Sequence, residues 1–183
     1  MNKPTLKEQA HGEIEKIFRI LLPQNGLSVR EEQITLCHAM LDTLLKNNIA
    51  LCDAGVGIGK TYAYLTACIL LKKFAPHGPA GSQPVVISTS SVALQDSIIE
   101  EYIPFLSRIF LENRVISKPI RAIVRKGKER LFWLKNKCFF TILYVIRVER
   151  GSYDNSSFKL DLHIHNMLFA WCGSVFTWHK IMW

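Results

Sequence analysis

The run Ala54-Gly55-Val56-Gly57-Ile58-Gly59-Lys60-Thr61 constrains this chain more than any other stretch. It follows Ile49-Ala50-Leu51-Cys52-Asp53, an apolar stretch that suits a buried strand. It precedes Tyr62 to Leu71, which suits a helix. Strand, Gly-rich loop, helix is the order a phosphate-binding P-loop requires. Glycines let a backbone turn tightly and approach an anion, so that successive N–H groups point at phosphate oxygens. A helix starting at Lys60 or Thr61 adds its positive dipole end. Lys60 can reach the β- and γ-phosphates of ATP, and the Thr61 hydroxyl can hold Mg²⁺ through the nucleotide. The strict pattern opens on Gly, and here that position is Ala54, which is small enough to leave the loop open. The plainer alternative is a Gly-rich turn before an ordinary helix; a Lys-Thr pair in register and fitting flanks argue against it.

Composition sets looser bounds. A chain of 183 residues holds one well-packed domain, or a domain with an appendage. A formal charge of +8 and a pI near 9.4 favour a polyanionic partner, nucleic acid being the commonest. The five cysteines, at 37, 52, 68, 138 and 172, include no CxxC pair and read as reduced thiols of a cytoplasmic protein. The start, Met1 to Glu8, is polar and does not resemble a signal peptide. The longest apolar run, Cys138 to Ile146, is too short to span a membrane, so no membrane partner is expected.

Leu6, Ala10, Ile14, Ile17, Phe18 and Leu21 recur at helical spacing, and Pro23-Gln24-Asn25-Gly26 supplies turn chemistry after them. A second helix is expected from Arg30 to about Lys46, with Ile34, Cys37, Leu41, Leu44 and Leu45 on one side. After the P-loop helix, residues 75–84 form a Pro/Gly-rich loop. Val85 to Thr89 then reads as a buried strand. Ser90-Ser91 offers N-caps for a helix through Leu94, Ile98, Ile99 and Tyr102, which Pro104 is expected to kink or end. Ile120 to Val124 is a third candidate strand. Strands separated by helices at this spacing predict an α/β fold with a parallel sheet flanked by helices. From about Leu131 the character changes: all four Trp and none of the seven Pro lie beyond it, and no period is sustained.

Four segments in order resemble the start of DinG/XPD-type superfamily 2 ATP-dependent DNA helicases: Ser28-Val29-Arg30-Glu31-Glu32-Gln33, then Ala54 to Leu65, then Val86 to Gln95, then Arg125-Lys126-Gly127-Lys128. The resemblance covers about residues 10–130 and implies part of a RecA-like P-loop NTPase domain. It implies adenine contact by Arg30 and Gln33. It also implies phosphate binding by Ala54, Gly55, Val56, Gly57, Ile58, Gly59, Lys60 and Thr61, and a single-stranded DNA track along Ser88, Thr89, Ser91, Leu94 and Gln95. A Gln amide, one donor and one acceptor, independently suits the N6/N7 edge of adenine. The organisation expected is an N-terminal helical segment over 1–27, a partial ATP-binding domain over 28–130, and an atypical aromatic-rich tail over 131–183.

The departures matter as much. Family members place the first cysteine of an iron–sulfur cluster after the Lys-Gly-Lys segment. Here only Cys138 and Cys172 follow, two thiolates where four ligands are needed. The acidic Asp-Glu-x-His segment is absent, since Asp161-Leu162-His163 lacks the Glu, and so is the second motor domain. A frameshifted or truncated reading of a longer gene would account for both, and a genuine alternative C-terminal segment is the other reading. The expectation is therefore an ATP-binding fragment of a DNA helicase that neither hydrolyses nor unwinds alone. The alternatives are another P-loop NTPase or kinase, or a non-catalytic nucleotide- or DNA-binding protein. His163, His165, Cys172 and His179 match no familiar zinc spacing. The basic run Arg121, Arg125, Lys126, Lys128, Arg130, Lys135 and Lys137 reads equally as a solvated face or a phosphate track.

Overall fold

The computed structural model describes residues 4–89, 91–125, 143–147 and 168–169. Helix α1 (Leu6–Lys16) opens on a capping box: Glu8 N–H donates to Thr5 Oγ1 at 3.2 Å, and Thr5 N–H donates to Glu8 Oε2 at 2.7 Å. The chain stays helical through a π-helical turn, Ile17–Leu21, into α2 (Leu22–Gln24). Pro23 explains the turn. It has no N–H to give and its ring crowds the preceding turn's carbonyl; widening the helix just before it relieves both. The device recurs. α5 (Val92–Ser97), a π-helical turn Ile98–Tyr102 and α6 (Ile103–Glu112) make one continuous rod that carries Pro104 inside it. Pro104 therefore neither ends this helix nor stands without compensation.

α3 (Glu31–Leu45) buries Ile34, Leu36, Cys37, Met40, Leu41 and Leu44 against α4 (Lys60–Phe74). α4 is buried from Ala63 to Leu71, so it lies at the centre, with α1 packed on both α3 and α4. The apolar residues of α1 and the π turn, from Ala10 to Leu22, share one core with α3, α4 and α6. Burial of this kind contributes roughly 1.5–3 kcal/mol per large aliphatic side chain. Cys37 and Cys68 lie in that core, where burial raises both thiols, Cys68 to about 12. Among the described residues no helix is long and apolar enough to cross a membrane.

The expected parallel-sheet, RecA-like α/β fold is not what forms. The described residues are mostly helical, and β1 (Val85–Ser88), β2 (Arg121–Arg125), β3 (Leu143–Arg147) and β4 (Leu168–Phe169) lie in the order β2-β3-β1-β4. β3 pairs antiparallel with β1, Val86 opposite Val145, and with β2, Ile123 opposite Val145. The parallel pair, β1 with β4, spans two residues. β1 and β2 do point the same way, as strands joined by a crossing helix should, but β3 separates them and supplies their hydrogen bonds. Residues 49–53, expected as a buried strand, form no strand, with Ile49 91% and Leu51 92% exposed. A strand needs a neighbour's ladder for its backbone groups, and no described strand lies against this one. Its composition alone could not reveal that.

Candidate nucleotide site

The segment before α4 is where the local chemistry turns unusual. Gly57 and Gly59 have φ of +86° and +82°, a left-handed region open to glycine at no steric cost. Gly59 is the N-cap of α4, so Lys60 and Thr61 stand in the first turn, where helix N–H groups have no intrahelical partner. Ala54, in place of the usual Gly, is not among the positive-φ residues, which are Asn47 and Arg114 outside glycine. Its Cβ therefore costs the loop no strain, and it packs against the core edge. Val56 is 89% exposed at the loop tip, while Gly55 is exposed and Ile58 half-buried. Lys60 Nζ donates to the carbonyls of Ala54 at 2.9 Å and Gly55 at 2.8 Å, which folds the ammonium back over its own loop.

α3 brings the second set of residues. Gln33, in its first turn, is buried and donates from Nε2 to the Gly59 carbonyl at 2.7 Å. That carbonyl also accepts from Tyr62 N–H and Ala63 N–H. A Cβ on Gly59 would meet Gln33 Nε2 and push that amide aside, so the glycine favoured by its positive φ also leaves room for Gln33. Arg30, the N-cap residue of α3, is exposed. Arg30, Gln33, Gly57, Gly59, Lys60 and Thr61 line one cleft of about 420 Å³. Residues from two separate segments, chosen from sequence for one ligand, thus line one cleft.

The cleft has a wall that sequence reasoning missed. Tyr62 and Tyr102 line it, their rings edge to face at 4.9 Å, and Leu94 joins them from α5. Burial, with Tyr102 and Glu101 nearby, raises the Tyr62 phenol above its ordinary value. Their signal was available: Tyr62 directly follows the Lys-Thr pair, and Leu94 and Tyr102 share one helical stripe.

The segment assigned by resemblance to a DNA track forms the β1–α5 turn. Ser91 Oγ accepts from Leu94 N–H at 3.2 Å as the N-cap of α5, and Thr89 Oγ1 accepts from Ser91 N–H at 3.2 Å. Gln95 is fully buried and donates from Nε2 to the Thr89 carbonyl at 3.0 Å, which ties the helix back to the strand end. Ser88 and Thr89 are half-buried and Ser91 is exposed. The turn faces solvent through Ser91, whereas Leu94 turns toward the cleft and Gln95 toward the interior. Cys138, Asp161, His163, His165, Cys172, His179 and the basic residues from Lys126 to Lys137 lie outside the described residues. Among the described residues no group of three or more His, Cys, Asp or Glu is placed to hold a metal ion.

The chain bears a distant resemblance to the DinG family of superfamily 2 helicases. It is similar to proteins named 3'-5' exonuclease DinG from Staphylococcus aureus strains USA300, NCTC 8325 / PS 47 and COL, each 26% identical over 162 residues. The match takes in 88% of this chain and 16% of each relative, so the chain spans about a sixth of their length. A match of that extent cannot stop at residue 130, and it reaches well into the stretch after Leu131. No family model matches the chain, and no solved structure matches it.

Proposed function

We propose that this chain carries the ATP·Mg²⁺ site of a DNA helicase of the DinG/XPD type. The observation that supports the reading most is the cleft in which Arg30, Gln33, Gly57, Gly59, Lys60 and Thr61 converge. The donor set suits a nucleotide: an ammonium, a first helical turn with open N–H groups, a hydroxyl and a buried amide. Lys60 would exchange the carbonyls of Ala54 and Gly55 for phosphate oxygens, a charge-assisted contact with an anion. Thr61 would hold Mg²⁺ through the nucleotide, and the metal would neutralise charge between the phosphates. Gln33, already bonded to Gly59, would meet the adenine edge and tie base recognition to the loop. The β1–α5 turn, with half-buried Ser88 and Thr89 and exposed Ser91, is the proposed DNA-facing segment, held in shape by Gln95. Hydrolysis and unwinding belong to a larger assembly than this chain. The nuclease activity in the relatives' name forms no part of the proposal.

Calorimetric titration with ATP·Mg²⁺ tests it. Lys60→Ala removes a charge-assisted contact of roughly 1.5–3 kcal/mol, so affinity should fall about tenfold or more. Equal affinities of the two proteins would overturn the assignment.

A further inference from the structure

His11 on α1 and His38 on α3 face each other where the two helices pack, away from the cleft. Their ring planes are parallel to within 6°, with centroids 4.6 Å apart, and the two Nδ1 atoms approach to 2.5 Å. Face-to-face rings cannot bring atoms so close, because van der Waals contact holds them about 3.5 Å apart. The rings therefore meet edge to edge, nitrogen to nitrogen. Their outer nitrogens are already committed: His11 Nε2 lies 2.7 Å from Asp42 Oδ1, and His38 Nε2 lies 2.8 Å from Glu15 Oε1. An ionised carboxylate only accepts, so each Nε2 carries a hydrogen and donates it. A neutral imidazole has one N–H, which would leave two bare lone pairs aimed at each other across 2.5 Å. One further proton between them turns that repulsion into a charge-assisted hydrogen bond.

We propose that His11 and His38 form a one-proton binding site, a latch in which a single proton shared by the two Nδ1 atoms fastens α1 onto α3. The surrounding charges fit it. From α1, Lys7 holds Asp42 at 2.9 Å, and from the π-helical turn that follows, Arg19 holds Glu15 at 2.5 Å and Glu31 at 2.6 Å and 2.8 Å. From α4, Lys73 reaches α1 at Glu13, 2.6 Å away. Lys7, Asp42, the histidine pair, Glu15, Arg19 and Glu31 make one row, and with the shared proton cation and anion alternate along it with no net charge. Without that proton the row is left one negative charge in excess. The bond from His38, followed by the one from Arg19, holds the Glu15 carboxyl below its ordinary value. Lys7, His11 and Glu15 are spaced four apart on α1, with Arg19 four further on in the π-helical turn, and His38 and Asp42 are four apart on α3, so helical geometry presents each stripe to the other.

NMR of the full ¹⁵N-labelled chain tests the latch directly. The expected result is a through-hydrogen-bond coupling between His11 Nδ1 and His38 Nδ1, lost for both rings together in one single-proton step as pH rises. Two rings that titrate independently, with no coupling, would overturn the proposal. So would stoichiometric binding of added zinc chloride between the two nitrogens, since the site would then be one for a metal. In His38→Gln, amide protection in α1 should fall about tenfold, a loss expected when a charge-assisted contact is removed. Unchanged protection would also count against the latch.

Discussion

In α4 nine consecutive residues, Ala63 to Leu71, are buried, whereas in the loop just before it Ile49, Leu51 and Val56 stand 91, 92 and 89% exposed. Both stretches are apolar, and they adjoin. What separates them is the supply of partners. A helix satisfies its own backbone and needs only apolar neighbours, which α1, α3 and α6 provide. An extended segment needs a second strand before its side chains are worth burying, and residues 49–53 have none among the described elements. Hydrophobic composition thus decides the fate of the helical layer, and backbone pairing decides the fate of the loop.

That contrast predicts its own largest effect. Leu41, fully buried between α3 and its neighbours, should cost about 2–5 kcal/mol when truncated to Ala, by lost transfer energy plus the cavity left behind. Denaturant melts of Leu41→Ala measure this. A loss under about 1 kcal/mol would mean the site can collapse around a cavity, and that the layer is looser than its burial indicates.

Gly59 stands at the border of the two regimes. Gly59→Ala places a Cβ at a positive φ and drives it into Gln33 Nε2. The left-handed conformation alone should cost about 1–2 kcal/mol, and straining the loop as well as displacing Gln33 should weaken ATP·Mg²⁺ binding more than Gln33→Ala does. Paired melts and titrations check both. If Gly59→Ala and Gln33→Ala lower affinity equally, the bond between the two residues carries the whole effect.

The stripes differ in how legible they were. The helical layer could be read nearly residue by residue, because a 3.6-residue period is written in Ile14, Ile17, Phe18 and Leu21 and again in Ile34, Cys37, Leu41 and Leu44. The π-helical turns could not, since a proline signals trouble for a helix without saying whether the helix widens or stops. The sheet was misread because pairing is non-local: Val85 to Thr89 has the composition of a strand, but nothing in it names β3 as the neighbour or sets the antiparallel direction. At the candidate site the Gly-rich loop was legible from residue chemistry, whereas Arg30 and Gln33 were singled out by the family resemblance; residues of both segments line one cleft. Gln95, assigned by resemblance to a DNA track, is buried, because a side-chain amide serves a turn as readily as a ligand. The paired histidines left a trace only in two stripes of four-residue spacing on separate helices.

Acid should separate the two regions by a smaller effect. The carboxyl of Glu15 is lowered chiefly by its bonds from His38 and Arg19; burial raises Asp42, but bonds from Lys7 and His11 outweigh it. Groups lowered in the folded state stabilise it fully above their ordinary values, 4.5 and 3.8, and lose that contribution as pH falls through the lower folded values. The α1–α3 contact should therefore loosen below about pH 4, seen as faster amide exchange in α1 relative to α4. Equal loosening of both helices would show that no local charge row is involved.

The smallest expected change is the sharpest test of the contrast. Leu51→Ser would be severe in a buried strand, where a large apolar side chain gives way to a hydroxyl and a cavity, at about 2–5 kcal/mol by analogy with Leu→Ala. With Leu51 92% exposed, the substitution should instead stay within about 0.5 kcal/mol, as surface changes do. It should also leave ATP·Mg²⁺ affinity unchanged, because Leu51 does not line the cleft. Ile49→Ser should behave the same way, and the double variant should be additive, since neither side chain has a buried partner to share. A cost of several kcal/mol in the melt would place residues 49–53 in a packed strand after all, and the division between a self-sufficient helical layer and an unpaired loop would fail at that point.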